Sequence, residues 1–209
     1  QTFEVGNDLL DTESNLHLET GFRLHHGKLT GSITFYLDRF DDYIYQADTG
    51  IEEDGLPLRQ WSQQDADFQG AELELKYDLG EFASGHWQLS GLADTVRAEF
   101  TDNSNVPRIP PGRFGLGMEW DLHNWAAELN WIHARSHTRV ADYETATPGY
   151  DLLNADLTYL LPLSNRAEWE LYLKAHNLLD EDIRNSSSFL KDQAPQIGRN
   201  FILGVRAYF

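Results

Sequence analysis

A two-residue alternation of apolar and polar side chains recurs along most of this chain and limits what it can fold into. The last segment, residues 197–209, reads IGRNFILGVRAYF. Phe201, Leu203, Val205, Ala207 and Phe209 share one face, and Asn200, Ile202, Gly204, Arg206 and Tyr208 share the other. A period of two belongs to strands, whose successive side chains point to opposite sides. In water, such an apolar strand at a sheet edge invites aggregation. In a membrane, a closed barrel removes the hazard by pairing its last strand with its first.

The alternation repeats upstream. Leu16, Leu18, Phe22 and Leu24 alternate with His17, Glu19, Gly21, Arg23 and His25. Ala71, Leu73, Leu75, Tyr77 and Leu79 alternate with Glu72, Glu74, Lys76 and Asp78. Similar runs centre on 29–37, 87–93, 114–122, 125–131, 153–161 and 169–175, giving about nine strands. The connections at 25–28, 79–86, 121–124 and 162–166 are short, whereas 46–60, 101–111, 137–149 and 181–197 read as longer loops. Short turns at one end and long loops at the other are the asymmetry of transmembrane barrels. Charged residues occupy one strand face, as a polar lumen requires. Trp87, Trp120, Trp125, Tyr159, Trp169 and Phe209 stand near strand ends, as interfacial aromatics do. The expected fold is all-β: an antiparallel transmembrane β-barrel.

Composition agrees. Mean hydropathy is -0.51, and no stretch approaches the roughly 18 apolar residues of a membrane helix. A barrel strand needs only about 9–11 residues, half of them facing lipid. The net charge of -18 disfavours nucleic acid as a partner. The absence of cysteine removes thiolate metal sites and thiol nucleophiles. No nucleophile elbow, phosphate loop or zinc-protease helix motif is present, so no enzymatic activity is expected.

Three stretches carry a family resemblance. Gly6, Asn7, Leu9, Glu13 and Ser14, within TFEVGNDLLDTESNLHLETGFR, resemble a loop-to-strand element of TonB-dependent outer-membrane receptors, with Asp11-Thr12 in place of the commoner Lys-Pro. VPRIPPGRFGLGMEW at 106–120 resembles that family's Pro-rich strand entry. NLLDEDIRNSSSFLKDQAPQIGRNF at 177–201 resembles its carboxy-terminal ending, with Gln196-Ile197 separating Pro195 from Gly198-Arg199-Asn200. The final strand resembles the recognition strand of bacterial outer-membrane barrels, with Gly204, Val205, Ala207 and Phe209 as the assembly-signal positions.

The resemblance implies a place in the bacterial outer membrane, within a 22-stranded barrel that surrounds a plug. Residues 1–209 would then supply about nine carboxy-terminal strands, with 1–12 as an extracellular loop remnant. The implied partners are outer-membrane lipid, an amino-terminal barrel half and plug, the TonB energy-coupling complex through that plug, and the barrel-assembly machinery. No cofactor is required. A metal or metal chelate would be the transported ligand. The forms GFRLHHGKLTGSITFY, YIYQ and FLKDQAPQIGRNF resemble the zinc-uptake branch, which makes zinc the first expectation, with iron-siderophore and haem next. Other readings are a folding substrate of the assembly machinery and a soluble β-rich binding module.

Zinc takes His nitrogen and carboxylate oxygen when thiolate is absent. His133 and His137, four residues apart near an outer strand end, are candidate metal ligands with Asp142. Asp41, Asp42, Tyr43 and Tyr45 sit where a strand should leave the membrane, and are candidates to face a ligand. Arg184 and Lys191 are candidates to meet an anionic chelate or to pair with acids.

Overall fold

The computed structural model describes residues 2–164 and 167–208. Its strands are β1 (Phe3–Val5), β2 (Ser14–His26), β3 (Leu29–Glu53), β4 (Leu56–Glu81), β5 (His86–Phe100), β6 (Arg113–Leu122), β7 (Trp125–Ala134), β8 (Tyr150–Ser164), β9 (Ala167–His176) and β10 (Asn200–Tyr208). From β2 to β10, each strand pairs antiparallel with its sequence neighbours. β2 and β10 are the two edges, so the sheet is not closed on itself. All nine strands expected from alternation are present in this ladder. The tenth, β1, pairs parallel with β4 at Leu58–Gln60. Three residues are too few to show a period, which is why the pattern does not reveal it.

Register assigns every side chain to a face, because directly opposed residues point to the same side. One face carries Leu18 opposite Leu37, Leu73 opposite Ala93, Leu116 opposite Trp131, and Leu173 opposite Leu203. This outer face is exposed and apolar. The inner face carries His17 opposite Asp38, Asp94 opposite Arg113, Asp156 opposite Lys174, and Glu170 opposite Arg206. These pairs are in contact: His17 Nδ1 and Asp38 Oδ1 are 2.7 Å apart, Arg113 and Asp94 2.7 Å, Lys174 and Asp156 3.8 Å, and Arg206 and Glu170 3.0 Å. On the outer face at the turn end, Trp125 stacks on Tyr159 at 4.4 Å and Trp87 lies 6.1 Å from Trp120.

The expected loop at 46–60 is corrected. β3 and β4 continue as one hairpin of 25 and 26 residues, closed at Asp54-Gly55. These two residues have φ of 50° and 77°, the left-handed pair that a tight hairpin turn needs and that Asp-Gly supplies. At ~3.3 Å per residue the hairpin is roughly 80 Å long, far more than the ~30 Å hydrocarbon layer. Its upper half therefore projects beyond the membrane wall.

A bulge marks where the wall ends. The β3–β4 register slips between Phe40 and Tyr43, and Asp42 adopts φ 58°. Its amide donates to Asp65 Oδ1 at 3.0 Å. The slip changes which residues of β3 face inward, from even to odd. Phe40, Tyr43 and Tyr45 thereby share one side and pack with Phe68 and Phe100 against Ala66, Ala98 and Val106. That cluster is the only buried apolar core cluster among the described residues.

Candidate functional site

Above the wall, three loops and the β3–β4 hairpin interlock. The β7–β8 loop, residues 135–149, contacts all the others. His137 and Thr147 exchange backbone hydrogen bonds of 2.9 Å each, folding the loop on itself. The Glu144 carboxylate accepts from the Ala141 amide at 3.1 Å and from the Arg108 amide of the β5–β6 loop at 2.8 Å. Asn105 of that same loop donates to the Val140 carbonyl at 3.0 Å. Arg59 of the hairpin lies 3.7 Å over the Tyr143 ring. From the β9–β10 loop, Lys191 Nζ donates to the Thr145 carbonyl and, at 2.8 Å, to Thr147 Oγ1.

The β9–β10 loop, residues 177–199, is fastened at its ends by its own motif. Asn177 is 0% exposed. Its side chain donates to the Glu181 carbonyl at 2.9 Å and accepts from the Glu181 amide at 3.0 Å. Asp180 accepts from the Arg199 amide at 2.9 Å and lies 3.4 Å from the Arg199 guanidinium. The NLLD and GRN segments are thus two halves of one clasp. Ile183 in the same loop is fully buried, and its carbonyl accepts from the Gln196 amide at 2.8 Å.

Burial shifts two groups in this crown. The Tyr143 hydroxyl is pushed up to about 12, first by burial and then by the Glu144 charge. The His137 imidazole is held below its ordinary value by burial, with Glu144 opposing and Lys191 adding to the effect. Several polar atoms here are buried without a hydrogen-bond partner, among them Arg59 Nε and Nη1, Gln46 Oε1, Tyr143 Oη and His137 Nε2.

The candidate residues fall in separate places. His133 stays on the outer strand face, where Asp151 accepts from His133 Nδ1 and Trp131 Nε1 at 3.0 Å each. β7 ends at Ala134, so the shared strand face does not extend to His137, which is buried in the loop. Asp142 is exposed in the turn beyond. Among the described residues no three His, Cys, Asp or Glu side chains come together to hold a metal ion. Asp41 and Asp42 form the bulge, and Tyr43 and Tyr45 pack into the core beneath the loops. Arg184 donates to the Lys191 carbonyl at 2.7 Å and pairs with Asp182 at 3.0 Å. Gly204 lies opposite Tyr172, where a Cβ would meet the ring at 2.3 Å. Val205 and Ala207 lie on the outer and exposed side of β10, while Phe209 lies outside the described residues. Arg59, Arg108 and Tyr143 were missed, because long-range stacking and backbone capping leave no local pattern.

The family model for the TonB dependent receptor-like β-barrel matches residues 1–178. The chain belongs to the TonB-dependent receptor family. These are outer-membrane barrels, not enzymes. Among solved structures, the copper transporter OprC aligns at TM-score 0.81 and 19% identity over 96% of this chain and 33% of its own. The FrpB iron transporter from Neisseria meningitidis aligns at 0.70 and 12% over 99% and 33%. The ferric citrate transporter FecA aligns at 0.68 and 22% over 92% and 31%. The chain spans about a third of the length of these receptors, and at such identities the likeness is one of fold.

Proposed function

We propose that this segment forms part of the pore wall and outer mouth of a receptor that takes up a scarce metal or metal chelate. The reading rests mainly on the division of the sheet: an apolar outer face for lipid and an ion-paired inner face, topped by cross-tied loops. Copper, iron and ferric citrate transporters share the fold. In this reading the loops capture the ligand, and it passes along the inner face once a plug domain, moved by the TonB energy-coupling complex, opens the lumen. Residues 1–12 belong to the outer mouth, a place supported by the pairing of β1 with the upper hairpin.

Zinc is the first cargo to test, with iron-siderophore and haem after it. A strain lacking the receptor gene, complemented with the intact gene, should recover growth under limitation of one of these nutrients. Recovery on haem or siderophore but not on limiting zinc rejects zinc. Recovery on none of these, nor on limiting copper, rejects metal uptake.

A second reading concerns β10. Its outer edge is unpaired and Phe201, Leu203 and Val205 are exposed. This supports recognition by the barrel-assembly machinery through Gly204, Val205, Ala207 and Phe209. Substituting Val205 and Phe209 with Asp should slow assembly of the intact protein into outer membranes. Unchanged assembly kinetics reject it.

A further inference from the structure

The chain holds 34 Asp and Glu against 16 Lys and Arg, yet one cavity inverts that balance. Its volume is about 380 Å³, and it lies between the upper end of β5, the β5–β6 loop and the start of the β7–β8 loop. Arg97, Arg135 and Arg139 line it with Asn105, His137 and Thr138, and no Asp or Glu does. A cavity of similar size on the wall, about 350 Å³, is lined by Glu72, Glu74 and Asp94 with Arg113. The inversion is therefore local.

The state of the lining groups points to a ligand. Arg97 pairs with Glu99, but Arg135 and Arg139 form no ion pair with any described residue. His137 is 6% exposed and its Nε2 lacks a hydrogen-bond partner. Guanidinium forks match the oxygens of phosphate and carboxylate in bidentate pairs. A carboxylate is satisfied by one fork. Two unpaired guanidiniums with a third beside them suit an anion with more charge and more acceptor oxygens.

We propose that this cavity binds a phosphate group, either free or on a lipid headgroup. Both sources reach it. Thr95 and Arg97 lie on the outer face by register, opposite Ala71 and Gln69. Arg97 also borders a groove with Leu18, Phe35 and Leu37, so the site stands where apolar wall gives way to headgroups. The loop residues Arg135 and Arg139 are exposed to the outer solution. The proposal is independent of metal uptake.

The test uses the intact protein in detergent micelles, with inorganic phosphate titrated calorimetrically. A parallel arm mixes it with phosphatidylglycerol or phosphatidylcholine and measures retained lipid by native mass spectrometry. The variant is R135Q/R139Q, with Arg23→Gln, far from the cavity on the inner face, as the control. Saturable phosphate binding, at least tenfold weaker in the double variant and unchanged in the control, establishes a free-phosphate site. Selective retention of phosphatidylglycerol, lost in the double variant, establishes a headgroup site. Wild-type protein that binds neither overturns the proposal, as does a folded double variant that binds both as wild type does. Circular dichroism checks folding. R135K/R139K, which keeps charge but loses the forks, should bind with intermediate affinity.

Discussion

The barrel wall and the loop crown are built for different solvents. In the wall the large apolar residues point outward, with Leu116 62% and Leu203 80% exposed. Every buried side chain among the described residues lies in the crown or at its base, including Phe100, Val106, Ile183, Asn177 and Lys191. The wall has no interior of its own and relies on lipid to cover Leu and Phe. The crown meets water, so it has its own core and satisfies buried backbone groups with side chains such as Asn177, Glu144 and Lys191. One chain therefore follows two opposite exposure rules, and the Asp41-Asp42 bulge marks the change between them.

The largest effect should come from breaking the rule in the wall. Leu116→Arg puts a charge on the outer face in mid-strand and should cost roughly 2–4 kcal/mol in denaturant unfolding from bilayers. Thr34→Arg, opposite Gly21 and Glu72 on the inner face, should stay within about 0.5 kcal/mol. Equal costs at the two positions would erase the assignment of faces. In the crown, Asn177→Ala strips the clasp of its partners for Glu181 and should cost about 1–3 kcal/mol. The loss should appear as faster amide exchange across 178–199, with the wall amides unchanged. Exchange rising equally in β6 and β7 would mean that crown and wall unfold as one unit.

The wall was readable because lipid enforces a period of two on every spanning strand. All nine ladder strands are visible in the pattern, and so are the long loops at 101–111, 137–149 and 181–197, but the expected loop at 46–60 is strand. The crown has no such period. Tyr43 and Tyr45 look like residues at an exposed strand end until the bulge turns them inward. Arg59 meets Tyr143 across 84 positions of sequence, a pairing no local spacing announces. Two signals were available and underread: Asp54-Gly55, a hairpin turn within an apparent loop, and HARSHTR at 133–139, a basic run in an acidic chain. The first gives a further prediction. Gly55→Ala places a Cβ at φ 77° and should cost about 1–2 kcal/mol, confined to exchange at the hairpin tip. A loss reaching Leu73 or Leu75 would show that the projecting hairpin also supports the wall.

The smallest effect concerns pH and His137. Burial holds its imidazole below the ordinary value of 6.5, against the pull of Glu144 and with the push of Lys191. As pH falls through 6.5 an opened loop takes up the proton before the closed one does. The closed loop is therefore fully favoured above pH 6.5 and weakens as pH falls from there through the lower folded value. Amide exchange at His137 and Thr147, corrected for intrinsic rates, should quicken over that window. His137→Asn should flatten the dependence, while Leu116 and Leu129 in the wall should show none in either protein. The same slope in the variant would mean that another group opens the loop. The same slope in the wall would mean that the crown does not respond as a separate unit.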